Sequence, residues 1–346
     1  MIQKLREGIE NLFPGYFALV MATGIVSLAA HFLEMEVFAQ PLFWLNQGLF
    51  LFLVLMTAAR IALVPRRVLR DLTDHQTGAT FFTVVAGTCV LGTQHVIQLE
   101  GDATVPQGLW IAALVLWVVL IYTFFTSVTV RADKPPLEKG LNGAWLLTVV
   151  SAQSLSILGT LLSGHFSGSQ ELILFLTLCL FLLGCMLYLL IITLIFYRFT
   201  FFTISADELT PPYWINMGAV AITTMAGVRL LLHSSDWPPL QELRPFLKGF
   251  TLFFWATATW WIPLLLVLGD WRHVIKRVPF SYQPAYWSIV FPLGMYTAAT
   301  FQLARAFHFT FLWLIPACFI YVALAAWLIL FVVMLLSIGK WLLART

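Results

Sequence analysis

Six ionisable side chains come close to the long apolar segments of this 346-residue chain: His31, Arg60, His95, Arg229, His233 and Arg305. All are neutral or cationic at neutral pH. No Asp or Glu falls deep inside an apolar segment. Proton and sodium routes usually place carboxylates at mid-membrane, where they carry the cation or its coupling charge. A passage lined by hydroxyls, small residues and backbone dipoles, with only positive charges nearby, suits a small anion.

Arg229 lies about one turn from the end of the seventh apolar segment and Arg305 ends the ninth, so both are placed to attract an anion or to anchor a helix at the interface. His95, late in the third segment, is positioned to titrate and gate or to hydrogen-bond a neighbour. Arg60, five residues before Pro65, reads as a side chain that snorkels to the interface. The four cysteines (Cys89, Cys179, Cys185, Cys318) sit inside apolar segments at spacings that match no metal or disulfide pattern. No metal and no cofactor is expected. An enzyme would need clustered polar groups at the membrane face, and Asp71, Asp74 and His75 of DLTDHQTG read as a solvated loop and helix start. The sharpest local feature is YWSIVFPLGMYTAAT: Pro292 removes a helical hydrogen bond, Gly294 lets a bend open, and Phe291 stands just before it. A ring there either packs in a core or swings into a channel and blocks it.

The elements that must position these residues are apolar helices. The chain is 60% hydrophobic and 10% charged, far from the roughly 25% charge of a soluble domain, so its solvent is lipid. Many of its 14 Trp and 30 Phe fall near segment ends, where rings favour the headgroup zone. Runs of about 20 apolar residues occur at 14–33, 41–64, 78–98, 106–130, 141–163, 170–197, 212–233, 245–269, 284–305 and 311–338. Residues 1–346 thus read as one all-α transmembrane domain of ten helices with no soluble domain. The amphipathic start MIQKLREGIENLFPG runs into the first span without a cleavage site. One side holds Lys4, Arg6, Arg66, Arg67, Arg70, Arg131, Lys134, Lys139, Arg198, Arg272, Lys276, Arg277, Lys340 and Arg345. The other has Arg244 and Lys248 with Glu34, Glu36, Glu100, Asp102, Glu171, Asp236 and Glu242. Positive charge marks the cytoplasmic side, which predicts a multi-pass protein of the cytoplasmic membrane with both termini inside.

The odd-numbered helices open alike, with Tyr16-Phe17, Phe81-Phe82, Trp145-Leu146, Tyr213-Trp214 and Tyr286-Trp287, at spacings of 65, 64, 68 and 73 residues. A period of that size holds one helical hairpin. Five hairpins entering from the same side leave an inner and an outer ring around an axis along the membrane normal. Gly, Ala, Ser and Thr make up about two in five residues of the odd helices and about one in five of the even ones. Small residues suit close-packed or pore-lining helices, so the odd helices are expected to form the inner ring.

PGYFALVMATGIVSLA in the first span, YWSIVFPLGMYTAAT in the ninth and WWIPLLLVLGDWRH in the eighth and the loop after it resemble the tellurite-resistance/dicarboxylate transporter family. That family includes bacterial tellurite-resistance channels, fungal malate and sulfite transporters and plant slow-type anion channels. The resemblance covers the whole chain. It implies five parallel hairpins in quasi-fivefold array around a central pore, homotrimers whose protomers each conduct, and a pore plugged by the Phe of the FP pair, here Phe291. Its pore is lined at helix bends, which would fall near Thr23 and Gly24, Gly87 and Thr88, Ser151 and Ala152, Gly218 and Ala219, and Phe291 with Pro292 and Gly294. The fifth helix, TVVSAQSLSI, has neither Gly nor Pro at its expected bend. The long cytoplasmic tails of plant members have no counterpart in this chain. The expected partners are small inorganic anions or dicarboxylates such as malate, and the lipid bilayer, with no nucleic acid. A proton-coupled dicarboxylate or sulfite carrier is the alternative to a passive channel.

Overall fold

The computed structural model describes residues 2–99 and 101–343. Glu100 and Arg345 of the charge pattern lie outside the described residues. The described chain is helical: α1 (Ile2–Glu10), α2 (Ala18–Phe32), α3 (Glu36–Leu63), α4 (Pro65–Leu72), α5 (Phe82–Gln98), α6 (Thr104–Val130), α7 (Leu137–Gly140), α8 (Leu147–Leu162), α9 (Gln170–Phe201), α10 (Ile215–Leu232), α11 (Pro238–Glu242), α12 (Arg244–Asp270), α13 (Trp287–Phe307) and α14 (Leu314–Leu343).

Nine helical stretches among the described residues are long and apolar enough to cross a membrane: Pro14–Phe32, Glu36–Leu63, Gly78–Gln98, Thr104–Val130, Gly143–His165, Gln170–Phe201, Pro211–Leu232, Arg244–Ile275 and Thr310–Leu343. The expected ninth run, 284–305, falls on α13, which is not among them. It is 21 residues long, and Ser288, Tyr296, Thr297, Thr300 and Gln302 dilute its apolarity. All five are buried or nearly so, which is why a lipid-exposed composition is not required of it.

Burial separates the helices into two sets. In α2, α5, α8 and α10 at least 78% of the most apolar stretch is buried, whereas in α3, α6, α9, α12 and α14 the share is at most 50%. α13 is buried from Trp287 to Ala304 save Ile289. The buried helices pack in a closed ring, α2 on α5, α5 on α8, α8 on α10, α10 on α13 and α13 back on α2. Each also packs on the lipid-type helix that follows it: α3, α6, α9, α12 and α14 respectively.

Each ring helix begins with a short 3-10 turn: Pro14–Phe17, Gly78–Phe81, Gly143–Leu146, Pro211–Trp214 and Pro284–Tyr286. Pro or Gly opens every one, and Pro is tolerated there because a first-turn N–H has no helical partner anyway. The five turns touch one another in the same cyclic order as the helices. They form a collar, so the five ring helices share one polarity. At Gly143 a Cβ would run into the backbone of Pro212, so this contact between successive turns of the collar requires glycine.

Polar ties run from each less buried helix to the ring helix that follows it in the cycle. Asn46 donates to Gln94 Oε1 at 2.7 Å (α3 to α5), and the Trp117 indole donates to Ser151 Oγ at 3.1 Å (α6 to α8). Tyr188 donates to the Asn216 carbonyl at 3.3 Å (α9 to α10). Trp255 donates to Thr300 at 3.0 Å (α12 to α13), and Trp327 donates to Thr23 at 3.0 Å (α14 to α2). Buried indole N–H groups need a partner, and the hydroxyls and carbonyls of the small-residue helices supply it. On the collar side Arg60 is not a snorkelling side chain. It is 4% exposed, pairs with Asp71 of α4 and donates to the Glu10 carbonyl at 3.3 Å, which pins α1 and α4 to α3.

Candidate functional site

A cavity of about 20 Å³ lies on the ring axis and draws wall residues from all five ring helices. That is room for one water. One wall residue per helix defines a layer: Ile25, Val90, Ser154, Ile222 and Met295. Their spacings are 65, 64, 68 and 73 residues, those of the collar pairs, so the internal repeat holds through the helices. Residues four apart share a helix face, about 6 Å along the axis. One turn toward the collar, the same five faces carry Met21, Ala86, Val150, Gly218 and Phe291. All five are buried, Phe291 to 1% exposure. The layer is uneven in size: Met21 and Phe291, on the adjacent α2 and α13, are large, Val150 is intermediate, and Ala86 and Gly218 are small. Gly218 sits against Pro292: a Cβ there would lie 2.7 Å from the proline Cγ. α13 runs uninterrupted through Pro292.

The remaining expected lining positions turn elsewhere. Two residues beyond the Phe291-level layer, a helix has rotated by about 200°, and Thr23, Thr88 and Ala152 occupy that position. Thr23 accepts from Trp327, Thr88 donates to the Val84 carbonyl at 2.8 Å, and Ala152 is buried. Ser151 accepts from Trp117 and donates to the Thr148 carbonyl at 2.9 Å. Gly24 faces Val90, Asn46 and Gln94, Gly87 faces Phe17 and Val20, and Gly294 faces Ile25 and Val26. Ala219 is buried one residue past Gly218. In this structure Thr23, Ser151 and the three glycines thus seat neighbouring helices. The hydroxyl-lined wall expected from composition is instead largely apolar, with Thr93 and Ser154 in it. Both of those hydroxyls donate to their own helix, to the carbonyls of Cys89 and Val150, each at 2.8 Å.

Of the three groups expected to attract an anion, Arg229 lines the cavity. Its Nε is buried without a hydrogen-bond partner, and its guanidinium lies over the Phe32 ring at 5.7 Å. Arg305 is exposed near the end of α13, over Phe301 at 5.9 Å. His95 is turned to α3, where its Nε2 meets Gln47 Oε1 at 3.0 Å. The Phe291-level layer apart from Gly218 and Phe291 (Met21, Ala86 and Val150) was missed at the sequence level. Subtracting the repeat spacings successively from 291 would have found it.

A closed five-helix ring and a cavity walled by all five of its helices have a counterpart in sequence. Residues 11–335 match the family described as voltage-dependent anion channel, SLAC1. The chain belongs to that family. It is 39% identical, over 43% of its length and 75% of the relative's, to an uncharacterized membrane protein of Mycobacterium tuberculosis. An uncharacterized transporter of Methanocaldococcus jannaschii is 23% identical over 87% of this chain and 86% of its own length. A sulfite efflux pump of Arthroderma otae is 23% identical over 93% of this chain and 90% of its own. The family match and the sulfite-pump relative support anion transport by a multi-pass membrane protein, and the family assignment points away from an enzyme.

Proposed function

We propose that the chain crosses the cytoplasmic membrane as ten spans, five parallel hairpins with both termini inside, and conducts small anions along the ring axis. The layer Met21, Ala86, Val150, Gly218 and Phe291 is the closed constriction, and Phe291 is the gate. The single observation that carries this reading is the axial cavity. Its wall comes from all five ring helices, and the turn of each of those faces nearer the collar is buried. The ring polarity favours anions at the collar, where five helix N-termini converge with their partial positive charges. Arg229 and Arg305 do the same work at the opposite end, with Arg229 on the cavity wall and Arg305 near its rim. His95, turned away from the axis, serves packing between α3 and α5. Three conducting protomers assemble as a homotrimer, as in the resembled family, and malate-like dicarboxylates, sulfite and inorganic monovalent anions are the substrates to compare. Permeation by tellurite follows from the same passage.

The fungal relative's name, a sulfite efflux pump, favours a second reading: a carrier coupled to protons. Proteoliposome flux of chloride, nitrate, sulfite, malate and succinate, with and without a pH gradient, separates the two. Flux that follows the anion's electrical gradient and ignores pH is the outcome expected of a channel. Flux that requires the pH gradient overturns the channel in favour of the carrier.

A further inference from the structure

The end of the cavity remote from the collar is built differently from the rest of its wall. Phe32, the last residue of α2, lies face to face with Phe301 of α13, with ring centroids 5.9 Å apart and planes 3° from parallel. Arg229 sits over the first ring at 5.7 Å and Arg305 over the second at 5.9 Å. Three ring helices thus hold two guanidinium groups at one mouth. Neither has a carboxylate partner among the described residues. Five helix C-termini converge at this end, and their carbonyls present negative potential to anything entering. An anion reaches the cavity only if that potential is offset.

Arg229 is the wall group able to do so. The two wall hydroxyls spend their protons on their own helices, which leaves them acceptors toward the axis. The Arg229 Nε–H, buried and unpaired, is an unspent donor at the cavity wall. A buried Nε–H left without an acceptor is costly, so the arrangement favours a ligand that accepts from it. The guanidinium fork matches two oxygens of one anion with two parallel N–H bonds, which a spherical halide does not reproduce.

We propose that Arg229, backed by Phe32 and flanked by Arg305, is an oxyanion-binding site at this mouth, taking carboxylate or sulfite-class anions in preference to halides. The site rests on the transport reading above and assigns that passage its point of selection. It lies on the far side of the Phe291 layer from the collar, so it fills while the constriction is closed.

The test is equilibrium binding of sodium sulfite and sodium chloride to the detergent-purified full chain by titration calorimetry, with Arg229→Lys, Arg229→Gln and Phe32→Leu. The parent binds sulfite more tightly than chloride. Arg229→Lys keeps the charge but loses the fork, so sulfite binding weakens about tenfold and chloride binding changes less than about threefold. Arg229→Gln loses both. Phe32→Leu leaves the charge in place and weakens sulfite binding about threefold, by releasing the guanidinium from its ring. Sulfite binding by Arg229→Lys equal to the parent's, or no preference for sulfite in the parent, overturns the site. A chain that binds sulfite as described but carries no anion across liposomes overturns the transport reading and leaves the site standing. A chain that transports while Arg229→Lys binds sulfite normally overturns the site alone.

Discussion

Gly218→Ala probes the proposed constriction where the α10 backbone meets the Pro292 ring. The added methyl would lie 2.7 Å from Pro292 Cγ, 3.2 Å from its Cβ and 3.5 Å from its Cα. Ordinary carbon contacts begin at about 3.5 Å, so α13 must retreat by roughly 0.8 Å. The proline ring has no rotamer to swing away, and the shift passes to the backbone next to Phe291. Overpacking of this kind costs about 1–3 kcal/mol. Exchanging a helical glycine for a better helix former returns roughly 0.5–1 kcal/mol, so the net loss is up to about 2.5 kcal/mol, which lowers the melting temperature by several degrees. Gly48→Ala on α3 is the matched control, because nothing lies within 4 Å of its added methyl. It exchanges a helical glycine for a better helix former and gains roughly 0.5–1 kcal/mol. Thermal unfolding of both variants in detergent, with chloride flux in liposomes beside it, reads the two effects. Gly218→Ala is expected to melt below the parent and to change its flux, Gly48→Ala to melt at or above it with flux unchanged. If both variants melt and conduct alike, the contact between α10 and α13 does not position the constriction.

Other outcomes follow from the same structure. The tie between Trp327 and Thr23 gives a coupling energy of about 0.6–1.5 kcal/mol in a Trp327→Phe, Thr23→Val double-mutant cycle read by thermal unfolding, and additive single effects contradict it. Asp71→Asn strips the partner from buried Arg60, so proteolysis of the α1 segment should accelerate, and an unchanged cleavage rate contradicts the pinning of α1. Burial, and then Arg131, hold the His75 imidazole below its ordinary value, against the opposing pull of Asp74. The unfolded chain therefore takes up the proton first, and stability falls as pH drops below about 6.5. His75→Gln should flatten that part of a melting-temperature profile taken between about pH 7.5 and pH 5.5.

The helices were legible because they leave long apolar runs, and the collar because each ring helix begins with a short turn opened by Pro or Gly. The chain breaks at Gly78 and Pro211 fall on Pro/Gly punctuation. α3 instead starts five residues before the apolar run at 41, with the acidic Glu36 in its first turn. Arg60 was misread because a cation four residues from a helix end looks alike whether it reaches water or a carboxylate on the next helix. Thr23 and Ser151 enter the expected lining only through the resemblance, which puts helix bends near them. Their partners, Trp327 and Trp117, lie 304 and 34 residues away, and no local pattern announces them. α13 carried the clearest motif, and its low apolarity follows from burial on every side.

Phe291→Ala tests the central claim most directly. Removing the ring empties the largest side chain from a layer otherwise made of Met21, Ala86, Val150 and Gly218. Chloride current through the variant and the parent, reconstituted at equal protein density in planar bilayers, is the measurement. The account predicts a severalfold larger current in Phe291→Ala, reversing at the chloride equilibrium potential. A variant that folds, inserts and carries no more current than the parent would contradict it.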